Sequence, residues 1–172
     1  MAGLIHIYCG DGKGKTTAAV GLALRAAGAG KRVVFTQFFK DGSSSEIGML
    51  KRFDTIRVMH CDTVHGFFFR MNDAQKEQAS RDYTELLRQV LAAAETAEVL
   101  VLDEIISACN HGTVPEIMVT AFLEQKPKKL EVILTGREPS RALVSLADYV
   151  TEMRKVKHPF DSGIPARKGI EY

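Results

Sequence analysis

The stretch Cys9–Thr17, CGDGKGKTT, joins an apolar run, LIHIYC, to a segment rich in alanine and leucine. Gly10, Gly12 and Gly14 let the main chain turn its N–H groups inward with no side chain in the way. The helix expected over Thr16–Ala29, stopped at Gly30, aims its positive end at the same point. Lys15 adds a full charge suited to terminal phosphates, and Thr16 offers a hydroxyl to Mg2+. Lys13 is a second cation, and Asp11 and Thr17 complete the stretch. Strand, glycine-rich turn ending in GKT, then helix is the setting a phosphate-binding loop requires. The usual spacing, GxxxxGK[ST], has glycine where this chain has Cys9. A glycine-rich turn that binds nothing is the plain alternative, and the flanking strand and helix argue against it.

Outward from this loop, strands alternate with helices. Leu4–Cys9, Val33–Phe38, Ile56–His60, Val99–Asp103 and Val132–Gly136 read as strands. VLVLD, Val99–Asp103, is a continuous apolar run, as expected of a central parallel strand covered on both faces. Asn72 or Asp73 is suited to cap a helix running to about Ala97. Its apolar positions Ala79, Tyr83, Leu86, Leu87, Val90, Leu91 and Ala94 recur at helical spacing. Pro115 and Ser140 open two further helices, and Asp41–Glu46, DGSSSE, reads as a loop. Tyr149–Val156 alternates as a last strand. The pattern predicts one α/β domain over residues 1–172: a mostly parallel sheet flanked by helices, a P-loop NTPase (RecA-like) fold, with an antiparallel edge strand. Ligands of such sheets sit at the carboxyl ends of the strands.

The second informative motif is VLVLDE. An apolar strand ending in an acid places Asp103, and next to it Glu104, where they can hold Mg2+ directly or through water. The residues therefore reach Mg–ATP or another nucleotide, but not the reaction. A hydrolase needs a group to orient water, and Glu104 is a candidate. A kinase needs an acceptor lid and a base. A transferase using the ribose end of ATP needs a nucleophile, and no serine or cysteine stands beside a plausible base.

Bulk properties narrow the partners. The 172 residues carry a net charge of +2, so charge alone suggests neither nucleic acid nor membrane as partner. No run approaches the roughly 20 apolar residues of a membrane span. The N-terminus enters its first strand with no basic stretch or cleavage site, so no signal peptide is expected. Three cysteines, Cys9, Cys61 and Cys109, form no CxxC pair and fit a reduced, cytoplasmic protein. His60 and His65 are the nearest histidine pair. No third ligand candidate is spaced beside them, so no structural zinc site is expected.

The stretch HGFFFRMN, His65–Asn72, sets three phenylalanines in a row between polar neighbours. Adjacent side chains cannot all face one core in a strand or a helix, so these rings call for a flat apolar partner. Taken with GDGKGKTTAAVGLALRAAGAGKRVVFTQFFK, VLVLDE, VILTGR and the tail VKHPFDSGIPARKGIEY, the chain resembles the P-loop ATP:corrinoid (cob(I)alamin) adenosyltransferases of cobalamin biosynthesis and salvage. The resemblance runs from Gly3 to Tyr172, and the family's loop has the same shifted glycines.

The resemblance implies a reaction. Cobalt in the Co(I) state attacks C5′ of ATP, the adenosyl group moves to cobalt, and triphosphate leaves. The corrinoid supplies the nucleophile the chain lacks. Lys13, Lys15, Mg2+ and backbone N–H groups would spread the leaving charge. Gly66-Phe67-Phe68-Phe69 matches the family's Gly-Phe-x-aromatic segment, so Phe67 and Phe69 are expected to pack under the cobalt and expel its lower axial ligand. That makes Co(II) easier to reduce. The family's second aromatic is often Trp, whereas this chain has Phe69. Arg25 and Arg137 match family positions suited to phosphate oxygens, and Gln37 is a candidate polar contact. The resemblance also implies a homodimer and an electron-donating reductase, with cob(I)alamin or a cobyrinic acid derivative as co-substrate. Many members have a helical N-terminal extension that helps close the site, and this sequence is expected to close it otherwise or to bind corrinoid more loosely. Two rivals remain at this point: a P-loop ATPase, and a non-catalytic nucleotide-dependent module that binds a corrinoid or another partner.

Overall fold

The computed structural model describes residues 2–40, 42–61, 63, 65 and 70–171. Six strands form one sheet: β1 (Ile5–Cys9), β2 (Val33–Gln37), β3 (Ile56–Met59), β4 (Val99–Asp103), β5 (Glu131–Thr135) and β6 (Tyr149–Glu152). Their spatial order is β3-β2-β4-β5-β1-β6, and every pairing is parallel. Among the described residues, six α-helices accompany them: α1 (Lys15–Gly28), α2 (Ser45–Leu50), α3 (Asp73–Ala94), α4 (Ile105–Asn110), α5 (Glu116–Gln125) and α6 (Arg141–Leu146).

The strands alternate between two apolar layers, as period-two side chains in a doubly covered sheet must. Val34, Leu100, Leu102, Val132 and Leu134 join the layer that holds Ala79, Leu87 and Val90 of α3. Val33, Phe35, Val99, Val101 and Ile133 join the opposite layer with Ala19, Ala23, Ala26 and Ala27 of α1. A stripe of alanines lets α1 lie close to the sheet, which brings its first turn near the strand ends. On α3, Asn72 and Gln75 form a reciprocal capping box, each side chain meeting the other's backbone N–H at 2.9 Å.

Three expectations change. The edge strand expected to be antiparallel is parallel: β6 runs alongside β1, with His6 opposite Tyr149. The short helix α6 returns the chain to the entry end of β1. There Ile5 N donates to Asp148 Oδ2 at 2.8 Å and Asp148 N donates to Ile5 O at 2.9 Å. β6 also stops at Glu152 rather than Val156. The polar stretch expected to be a loop runs straight into α2, which buries Ile47 and Leu50. A six-residue helix is too short for its periodicity to show in sequence. In addition, a short helix that the sequence did not announce, α4, follows β4 with Glu104 in the left-handed region, φ 61°. Nothing in the residue type announces that turn, since a non-glycine residue seldom adopts it.

Candidate active site

The loop between β1 and α1 lies at the carboxyl end of the sheet. Gly10 and Gly14 have φ of 99° and 118°, which only glycine adopts without strain. Gly12 is required for a different reason. A Cβ there would stand 2.6 Å from the carbonyl oxygen of Met153. The chain leaving β6 presses on the loop: Gly12 N donates to Met153 O at 2.6 Å, and Lys155 N donates to Asp11 Oδ1 at 2.9 Å. That last bond, above all, holds the Asp11 carboxyl below its usual range, with smaller help from the Lys155 and Arg137 charges.

Lys15 is buried, and its Nζ donates to the Gly10 and Gly12 carbonyls, both at 2.8 Å. Burial pushes its pKa down. The nearby Glu104 carboxylate opposes that shift, and the Arg137 guanidinium adds to it. Glu104 and Arg137 are therefore both near enough for their charges to act on the lysine. Thr16, one residue on, donates to Asp103 at 2.9 Å.

Asp103 is the hub of the site. It is fully buried at the end of β4. Besides Thr16, it accepts from Thr135 Oγ1 at 2.6 Å, Gln37 Nε2 at 3.1 Å and Lys40 Nζ at 3.2 Å. These partners come from the ends of β5 and β2 and from just beyond β2. Lys40 Nζ lies among three oxygens: Asp103 Oδ2, Thr16 Oγ1 at 3.5 Å and Glu46 Oε1 at 3.8 Å. The ammonium marks a point where the protein concentrates negative charge. Gln37 must turn its NH2 group toward Asp103 and Glu46, because both are acceptors. Its Oε1 is then a buried acceptor without a hydrogen bond. Thr135 also accepts the Glu104 N–H at 2.9 Å, and Ser107 Oγ donates to Glu104 Oε2 at 2.6 Å, so the left-handed turn is tied at both ends.

The structure thus brings together Lys15, Thr16, Gln37, Asp103 and Glu104, with Arg137 near enough for its charge to act on Lys15 and Asp11. Asn110 holds the Arg137 and Glu138 carbonyls at 2.8 and 3.1 Å. Lys13 and Thr17 are exposed on the loop and the first turn of α1. Arg25 is not brought to the loop. It lies ten residues along α1 from Lys15, about 15 Å at 1.5 Å per residue, and its charge acts on Tyr8. Phe67 and Phe69 lie outside the described residues. Lys40, Glu46 and Thr135 are the members that sequence reasoning missed. A lysine just past the end of β2 was the available signal, whereas Glu46 enters only through the unforeseen α2.

The family model for ATP:corrinoid adenosyltransferases BtuR/CobO/CobP matches residues 1–172. The chain belongs to this family. It is 34% identical to a corrinoid adenosyltransferase of Pseudomonas aeruginosa over 99% of this chain and 84% of that protein. It is 35% identical to corrinoid adenosyltransferases of Escherichia coli K12 and Salmonella typhimurium, over 99% of this chain and 86% of each. Among solved structures, the EssC ATPases 2 and 3 of Geobacillus thermodenitrificans align with a TM-score of 0.57 at 12% identity. That alignment covers 97% of this chain and 35% of the other, and speaks for a shared fold. No described helix is long and apolar enough to cross a membrane.

Proposed function

We propose that this adenosyltransferase moves the 5′-deoxyadenosyl group of ATP onto the Co(I) of a reduced corrinoid. The Co–C5′ bond forms with the cobalt electron pair, the C5′–O bond breaks, and triphosphate leaves with that bond's electrons. The observation that carries this reading is the Lys15–Thr16–Asp103 constellation under a glycine loop, in a chain matched to the family along its whole length.

The protein's task is then to hold a leaving triphosphate. Lys15 has two loop carbonyls as its present partners, and an anion in the loop would draw its Nζ away from them. The charge of Arg137 already falls on the same place. The oxygen set of Thr16 and Asp103 fits a hard dication, as the Lys40 ammonium between them indicates. Mg2+ held there would neutralise part of the triphosphate charge, and Lys40 would be displaced toward the phosphates. The Gln37 Oε1 acceptor suits a hydroxyl or amino donor of the nucleotide.

The chain's own thiols are poor nucleophiles where their state is defined. Burial pushes the Cys109 thiol up to about 12 and raises that of Cys9. A nucleophile carried in by the corrinoid is consistent with that. Phe67 and Phe69 are proposed to lie against the corrin face, with a reductase keeping the cobalt reduced and two copies assembling in the cytoplasm; family kinship supports these points. The test is anaerobic: protein, Mg–ATP and chemically reduced cob(I)alamin, followed by visible spectrum and phosphate products. A light-sensitive adenosylcobalamin spectrum with stoichiometric triphosphate is the expected result. Orthophosphate released without corrinoid, and no spectral change, would overturn the proposal in favour of an ATPase.

A further inference from the structure

A second cluster of chemically active side chains lies away from the phosphate loop. Cys61 follows β3, His65 comes four residues later, and Asp82 stands in the middle of α3. Each offers one ligand atom, and the three atoms lie within 4.8 Å of one another. The sequence alone suggested no such set, because its third member is supplied by a helix distant in the chain.

The His65–Asp82 contact has an unusual geometry. Nε2 and Oδ2 are 2.9 Å apart, yet the ring nitrogen makes no hydrogen bond: the distance is short and the directions do not match. The His65 side chain is only 7% exposed, so water does not compensate. Two donor atoms that lie side by side without pointing at each other have the relation of neighbours that a shared coordination sphere requires. A tetrahedron with bonds of about 2.0 Å has edges of about 3.3 Å, close to the separation seen. Tyr83, next to Asp82 on α3, packs its ring on His65 at 5.3 Å and fixes the imidazole orientation.

We propose that Cys61, His65 and Asp82 bind a zinc-type transition-metal dication, separate from the Mg–nucleotide site. The donor set decides the class of metal. Thiolate and imidazole select a borderline or soft ion such as Zn2+, whereas the oxygens around Asp103 and Thr16 suit Mg2+. Charge also balances: one thiolate, one carboxylate and a neutral imidazole offset a dication. Three protein ligands leave a fourth position for water. Bound there, the metal fastens the chain entering Gly66–Phe69 to α3. It acts on the corrinoid side of the proposed reaction without taking part in the chemistry, and its existence does not depend on that reaction.

The experiment uses the full chain, stripped with a chelator, free of corrinoid and titrated with Co(II) and then Zn(II). One equivalent of Co(II) should give tetrahedral visible bands and a thiolate-to-cobalt charge-transfer band, both removed by Zn(II). Cys61→Ser should abolish the charge-transfer band. His65→Ala and Asp82→Asn should each weaken binding by more than about tenfold. Circular dichroism and ATP affinity, unchanged in all three variants, would show that the fold persists. No binding at micromolar metal, an octahedral spectrum, or a charge-transfer band that survives in Cys61→Ser would overturn the proposal. If Cys61→Ser fails to fold, Asp82→Asn decides alone: unaltered Co(II) affinity there refutes the site.

Discussion

The two sides of the proposed active site are built on different materials. The triphosphate side stands on the ends of β1, β2, β4 and β5, whose backbone positions are set by a parallel ladder. Asp103 there is fully buried with four side-chain donors around it. The corrinoid side, as proposed, is carried by the connection between β3 and α3. Its placement depends on what holds the ends of that connection: the capping box at Asn72 and the Cys61–His65–Asp82 cluster. Damage to the first side should remove chemistry outright. Damage to the second should cost affinity for one substrate.

Lys15→Ala tests the first side and should have the largest effect. Turnover should fall about 10²–10³-fold, the usual loss when one donor to a developing charge is removed. A change under tenfold would mean that Lys15 holds the loop together rather than the leaving group. Next comes Phe67→Ala. Losing one ring under the cobalt should lower kcat/KM for the corrinoid by about tenfold and leave ATP affinity unchanged. If both fell together, the two sides would not be separable.

Lys40→Met should act in the opposite direction on metal. Its ammonium and a dication compete for Asp103 and Thr16, and a partly exposed ion pair contributes about 1 kcal/mol. Removing it should tighten Mn2+ binding about fivefold, read by electron paramagnetic resonance. Weaker Mn2+ binding would show that Lys40 instead orients Asp103. The smallest effect is expected for Asn72→Ala. Loss of the cap should cost about 1 kcal/mol in urea unfolding, with kcat and ATP affinity unaltered.

The same contrast explains what could be read in advance. The glycine loop, the VLVLDE strand and the alternation of strands and helices were legible because each is a local pattern with a local cause. Glycine turns, continuous apolar runs and 3.6-residue periods need no knowledge of tertiary contacts. The direction of β6 was not legible, because it is set by α6 and by bonds from Asp148, at the strand's entry, to Ile5, which is far away in the sequence. α2 and α4 were too short to declare a period. Glu46 escaped for the same reason, since its meeting with Gln37 and Lys40 depends on how α2 turns back over the strand ends. Arg25 is the converse case, its backbone ten residues along α1 from that of Lys15. Its family position suggests phosphate, whereas the structure shows its charge acting on Tyr8.

One hydrogen bond has a consequence for the whole C-terminal tail. The Gly12 amide is committed to Met153 O. In phosphate-binding loops such amides serve the anion, and one N–H cannot serve two acceptors at full strength. Occupancy of the loop and docking of residues 153–155 are therefore thermodynamically linked. By reciprocity, anything that grips the tail alters nucleotide affinity by the same factor by which nucleotide alters that grip. The last strand thus ends on the loop it would have to release, and the apolar Val156, Phe160, Ile164 and Ile170 stand exposed along the tail that follows.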